Sequence, residues 1–177
     1  MTTANKLTIF RMALIPVFLL LLYTGFGYAA LAVFILACLT DWADGYIARH
    51  YNQITNFGKF MDPLADKMLV MSAMCYFVEA RQMPGWCLAV VLLREFAVSG
   101  MRMVAVEQGR VIAAAWSGKI KTASTMVCLC IMMLLGEAWI PAPRIVNTAC
   151  IAVIVGTTVY SGVEYFVKNA DVFKNSK

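Results

Sequence analysis

The sequence predicts an all-α integral membrane protein: six transmembrane helices in one bundle, with both termini cytoplasmic. Three observations carry that prediction. Of 177 residues, 62% are hydrophobic and only 14% charged, against about 45–50% apolar and about 25% charged in soluble domains. Two stretches, Met12 to Thr40 and Ile145 to Val163, contain no charge at all. The basic residues, laid out along six spans, gather at one end. A soluble chain of this length cannot bury so much apolar surface, so the composition excludes an ordinary cytosolic domain, a disordered chain and a disulfide-knit secreted module. The length suits one domain over residues 1–177.

A spanning helix needs about 20 mostly apolar residues. Met12 to Thr40 is longer than one span, and Gly25-Phe26-Gly27-Tyr28 breaks it into two with a tight turn, the second running on toward Arg49. The apolar run outlasts the core of a signal peptide and shows no cleavage site. Thr2 to Phe10 are less apolar and are read as partly interfacial, with Pro16 in the first turn of the true span or at a kink in it. Weaker candidates follow at Gly58–Ala80, Pro84 to about Val106, and Ala115–Gly136, and Ile145–Val163 is the last span. Met83-Pro84-Gly85, Gln108-Gly109 and Pro141-Ala142-Pro143 punctuate them. From Glu164 onward the sequence reads as a helix end and a solvated basic tail.

Six spans place both termini on one side. Twelve of the fifteen Lys and Arg residues, among them Lys6, Arg11, Arg49, Lys119 and Lys121, fall on that side; Arg81 and Arg144 fall opposite, and Arg94 lies inside a span. The positive-inside rule makes that side cytoplasmic. The net charge of +5 is therefore an orientation signal that also suits an anionic leaflet, and no nucleic-acid role is inferred. Phe26, Tyr28, Trp86 and Trp139 lie near span ends, where aromatic residues gather. The six cysteines lie within apolar spans without a C-x-x-C pair and are read as small packing residues.

Four of the five aspartates stand between positions 41 and 66. Asp41 and Asp44 are three apart and share a helix face with Gly45 and Ala48; Asp62 and Asp66 are four apart and share another. The polar stretch Arg49 to Phe57 turns the chain between them. Two neighbouring helix ends therefore aim four carboxylates at one region near the cytoplasmic interface. Such a group repels itself unless cations sit within it. Hard oxygen ligands suit Mg²⁺, Mn²⁺ or Ca²⁺, and four carboxylates are enough for two ions. Gly45 and Ala48 leave room for a bulky ligand, and Arg49 offers a fixed charge for phosphate. These are the parts of two-metal phosphoryl chemistry. Idle surface aspartates would explain one such pair, but not two with small residues at fixed offsets.

The full pattern, D-x2-D-G-x2-A-R-x8-G-x3-D-x3-D from Asp41 to Asp66, resembles the signature of the CDP-alcohol phosphotransferase family at every position. Asn5-Lys-Leu-Thr8-Ile-Phe-Arg11 with Pro16, Arg94-Glu95-Phe-Ala-Val-Ser99-Gly100-Met-Arg102, and Ser117-Gly118-Lys119-Ile-Lys121-Thr122 resemble the bacterial branch of that family that makes phosphatidylglycerophosphate. The resemblance implies transfer of the phosphatidyl group of CDP-diacylglycerol to sn-glycerol 3-phosphate, with release of CMP, by a dimeric enzyme of the bacterial inner membrane. It implies Asp41, Asp44 and Asp62 as ligands of two divalent ions, Mg²⁺ or Mn²⁺, with Asp66 completing the site and acting as general base. Asn5, Thr8, Gly45, Ala48, Arg49 and Gly58 would then bind the CDP-diacylglycerol donor, the small residues making room for the nucleotide and Arg49 meeting the pyrophosphate.

On the acceptor side, Arg94 stands beside Glu95 within the fourth span, and Lys119 and Lys121 open the fifth. Charge inside a span is costly and marks a site. Arg94, Lys119 and Lys121 are expected to hold the acceptor phosphate; an Arg94–Glu95 ion pair and simple interfacial anchoring are the structural alternatives. Arg102 and Arg110 fit anchoring, and His50 an interfacial, non-catalytic place. Another acceptor, such as inositol phosphate, serine or a second phosphatidylglycerol, would use the same chemistry. A divalent-cation transporter would place its acids near the bilayer midplane, often in repeated halves, and a structural membrane protein leaves the aspartate spacing unexplained.

Overall fold

The computed structural model describes residues 3–50, 56–109, 112, 115–137 and 143–170, with the backbone alone at 3–8, 41–50, 56–63, 66, 137 and 143. The described residues form six α-helices and no strand: α1 Thr3–Tyr23, α2 Gly27–His50, α3 Asn56–Glu79, α4 Gly85–Glu107, α5 Trp116–Glu137 and α6 Pro143–Lys168. Of these, α5 over Trp116–Gly136 and α6 over Arg144–Lys168 are long and apolar enough to cross a bilayer; Ile9–Tyr23 and Gly27–Thr40 are shorter apolar stretches of α1 and α2.

The break expected at Gly25 is a Schellman turn. Gly25 has φ +83, the Phe26 N–H donates to the Leu21 carbonyl at 2.9 Å, and the Gly25 N–H donates to Leu22 at 3.2 Å. A side chain at this left-handed position would be strained, so glycine ends α1 and lets α2 start two residues later. The first helix runs unbroken from Thr3 to Tyr23 with Pro16 in its interior, the second of the two places expected for it. The last helix runs past Val163 and ends at Lys168, within the helix end expected from Glu164 onward, and Lys168 and Glu164 pair one turn apart.

The chain forms two compact units. The first holds α1, α2, α3 and the last turns of α5, with α1 packed along both α2 and α3. Its interior repeats the helical step: Arg11, Ile15, Phe18 and Leu22 on α1; Ala30, Phe34 and Ala37 on α2; Ala65, Leu69, Ala73 and Phe77 on α3. Phe18 and Phe34 stack with ring centroids 5.6 Å apart. At the C-terminal ends of α1 and α3, Tyr23 packs edge-on against Tyr76 at 5.5 Å and donates to Glu79.

The second unit holds α4, most of α5, and α6. Cys87, Val91, Val98, Met101 and Ala105 form the buried stripe of α4. Ser117, Lys121, Thr125 and Cys128 form that of α5, and Asn147, Cys150, Ile154, Thr158, Ser161 and Tyr165 that of α6. The outward residues are large and apolar, including Leu93, Phe96, Ile145 and Val167. None of the six cysteines forms a disulfide.

Candidate active site

The aspartates stand at helical steps from buried residues of the first unit. On α2 the inward step runs Ala30, Phe34, Ala37; four and seven residues beyond Ala37 come Asp41 and Asp44, and four beyond Asp44 comes Ala48. On α3, Asp62 precedes buried Ala65 by three residues, Asp66 precedes buried Leu69 by three, and Gly58 precedes Asp62 by four. All lie on helical backbone, in the last turns of α2 and the first turns of α3. The side chains of Asp41, Asp44, Gly45, Ala48, Arg49, Gly58, Asp62 and Asp66 lie outside the described residues, as do those of Asn5, Thr8 and His50.

Arg11 was expected at the interface as an orientation charge. It is instead 0% exposed. The short turn between α1 and α2 makes them antiparallel neighbours, and the Phe18–Phe34 contact sets their register. Arg11, seven residues before Phe18, therefore stands level with Asp41, seven after Phe34.

In the second unit Arg94 falls on the buried stripe of α4, three residues after Val91 and four before Val98. Its Nη1 donates to Glu95 Oε1 at 2.8 Å and its Nη2 to Ser161 Oγ at 2.5 Å. The same Glu95 oxygen accepts from Lys121 Nζ at 2.8 Å. Side-chain exposures are 13% for Arg94, 12% for Glu95 and 6% for Lys121. Among the described side chains, two cations and one anion are thus gathered between α4, α5 and α6 in a low-dielectric setting. An anion would be stabilised there.

Lys119 does not join this cluster. It is exposed, and its ammonium lies 5.1 Å from the Trp116 ring centroid. Residues two apart on a helix point roughly 200° apart, so Lys119 and Lys121 cannot share a face. Arg102 makes a link between α4 and α6, its Nε donating to the Tyr165 hydroxyl at 3.0 Å, in keeping with a structural role. Arg110 lies outside the described residues. Glu95 and Ser161 were not read as site residues, although the step through Thr158, Ser161 and Tyr165 was there to be found.

Comparison with known proteins now decides the family. The model of the CDP-alcohol phosphatidyltransferase family matches residues 1–160. The chain belongs to that family. It is 40% identical to the CDP-diacylglycerol–glycerol-3-phosphate 3-phosphatidyltransferase of Bacillus subtilis (strain 168), covering 97% of each chain. It is 37% identical to the protein of the same name from Shigella flexneri serotype 5b (strain 8401) over 90% of each chain, and 38% identical to that of Salmonella paratyphi A (strain ATCC 9150 / SARB42) over 76% of this chain and 78% of the other.

Proposed function

We propose that this protein is a phosphatidyltransferase that moves the phosphatidyl group of CDP-diacylglycerol to sn-glycerol 3-phosphate, giving phosphatidylglycerophosphate and CMP. One observation carries the reading: the complete Asp41–Asp66 signature, on the helical backbone of α2 and α3, in a chain 40% identical along 97% of its length to a protein of that name.

The donor end is built from α2 and α3. Asp41, Asp44, Asp62 and Asp66 are the right chemistry for two divalent ions, Mg²⁺ or Mn²⁺: hard, anionic and numerous enough to offset their charge. When bound, such ions polarise the pyrophosphate and neutralise charge on departing CMP. Gly45, Ala48 and Gly58 leave the backbone open to the cytidine nucleotide, Arg49 meets its phosphates, and Asn5 and Thr8 on α1 complete the donor contacts. Asp66 takes the proton of the acceptor hydroxyl. That oxygen forms a bond to the phosphatidyl phosphorus as the bond from phosphorus to CMP breaks.

The acceptor phosphate is held by Arg94 and Lys121, which the structure brings onto one carboxylate oxygen; Lys119 lies on another face of α5 and is left out of that pocket. A cationic pocket favours a phosphorylated alcohol and disfavours serine. The family match from residue 1 to 160 runs through both compact units and supports a single functional domain over residues 1–177. Outward apolar faces, two helices of spanning length and the one-sided basic residues support a six-span protein of the bacterial inner membrane with cytoplasmic termini and active site. A homodimer is part of this reading, as the family resemblance implies.

The test is an acceptor panel. Purified protein with CDP-diacylglycerol is offered labelled glycerol 3-phosphate, inositol phosphate or serine, and label entering lipid is measured. Incorporation from glycerol 3-phosphate alone supports the proposal; incorporation only from another acceptor overturns the acceptor assignment.

A further inference from the structure

The Arg94 cluster contains more than two phosphate-binding cations. Arg94 is seated from three directions. Its Nη1 rests on Glu95 and its Nη2 on Ser161, which is itself fully buried on α6. The backbones of α5 and α6 close on its flanks: a Cβ at Gly162 would lie 3.3 Å from Arg94 Cγ, and one at Gly118 would lie 3.4 Å from Nη2. The guanidinium thus occupies a slot that glycine opens on two sides. Lys121 arrives from α5 on the oxygen that Arg94 already uses, so one carboxylate oxygen holds both cations at 2.8 Å each.

We propose that Glu95, with Ser161, is the positioning pair of the acceptor pocket, holding Arg94 and Lys121 together as a pre-formed clamp for the acceptor's phosphate. This rests on the reading of Arg94 and Lys121 as phosphate ligands given above. The physical reason is repulsion. Two cations bonded to one oxygen stand within twice the hydrogen-bond length of each other, and in a buried setting they separate unless an anion lies between them. Lys121 has the longer, freer stem and would be the one to leave. Ser161 acts differently. It accepts from the far side of the guanidinium and fixes its plane, which decides whether a phosphate can be met by two parallel N–H groups.

Both residues are positioning rather than catalytic, so the effect belongs to the acceptor. In Glu95→Gln the acceptor oxygen remains and only the charge is lost. The expected result is a KM for glycerol 3-phosphate raised about tenfold, the scale of one charged hydrogen bond, with kcat and the KM for CDP-diacylglycerol within about twofold of wild type. Glu95→Asp, which keeps the charge on a shorter stem, recovers part of the loss. Ser161→Ala, a conservative change in a helix, is the second variant should Glu95→Gln not fold; it raises the same KM severalfold. Lys121→Ala is measured alongside and tests the pocket itself. If Lys121→Ala raises the acceptor KM but Glu95→Gln and Ser161→Ala do not, the positioning proposal fails while the pocket stands. If Lys121→Ala leaves it unchanged, the pocket reading fails first. A lower KM in Glu95→Gln would show that Glu95 competes with phosphate for the cations, and would also overturn the proposal.

Discussion

Arg94→Ala is the perturbation whose size the structure fixes best. The side chain makes two short polar contacts, to Glu95 at 2.8 Å and Ser161 at 2.5 Å, from a site 13% exposed. Its removal does not strand a buried charge, because Glu95 keeps its bond to Lys121, and Ser161 can turn its hydroxyl to its own helix backbone. The fold should therefore survive. On the proposed reading, what is lost is the guanidinium's contact with the acceptor phosphate. A hydrogen bond to a charged partner contributes about 1.5–3 kcal/mol, so kcat/KM for glycerol 3-phosphate should fall roughly 10- to 150-fold at 1.4 kcal/mol per decade. Arg94→Lys should recover only part, since one ammonium cannot span Glu95 and Ser161 as the planar fork does. The assay is CMP release in mixed micelles, with each substrate varied at saturating levels of the other. The KM for CDP-diacylglycerol is the internal control. An unchanged KM for glycerol 3-phosphate in Arg94→Ala would refute the phosphate pocket and leave Arg94 as a structural ion pair.

Three further outcomes are expected. Asp66→Asn should keep donor binding, measured with labelled CDP-diacylglycerol, while turnover falls by about 10²–10⁴-fold, the usual scale of a general base; wild-type turnover in folded protein would remove Asp66 from that role. Arg11→Ala empties a fully buried position on α1 and should cost about 2–5 kcal/mol, as other large-to-small core changes do, read as a loss of thermal stability in detergent. Gly162→Val pushes branched carbons toward Arg94 Cγ, 3.3 Å from the first of them; it should weaken acceptor use with little effect on donor affinity, as acceptor and donor titrations would show.

Much of the fold was legible because lipid demands long uncharged segments and the turns carry glycine or proline. The expected spans at 58–80, 84–106 and 115–136 lie within two residues of α3, α4 and α5. The outer bounds of α1 and α6 were less sharply legible, because both helices extend beyond the apolar stretch into polar sequence that hydropathy alone does not delimit. The aspartate signature was legible because its spacing is local: three- and four-residue steps on two adjacent helices. The Arg94 cluster was only half legible. Arg94 stands out as a charge in a span, but Ser161 lies in an uncharged run and meets Arg94 across 67 positions, a pairing no local spacing encodes. Lys119 and Lys121 were grouped by closeness in sequence, when helical geometry sets them on different faces. Arg11 was counted as an orientation charge because its burial depends on how α1 packs against α2 and α3.

The most direct test of the central claim, metal-dependent phosphatidyl transfer at the Asp41–Asp66 cluster, is CMP release from CDP-diacylglycerol by the purified protein. It is measured with and without glycerol 3-phosphate, after chelation and after adding back Mg²⁺ or Mn²⁺. The account predicts release that requires the acceptor, disappears with chelator, returns with the divalent ion, and is absent at every metal concentration in Asp62→Asn. Release that persists in full after chelation, or that Asp62→Asn supports as well as wild type, would contradict it.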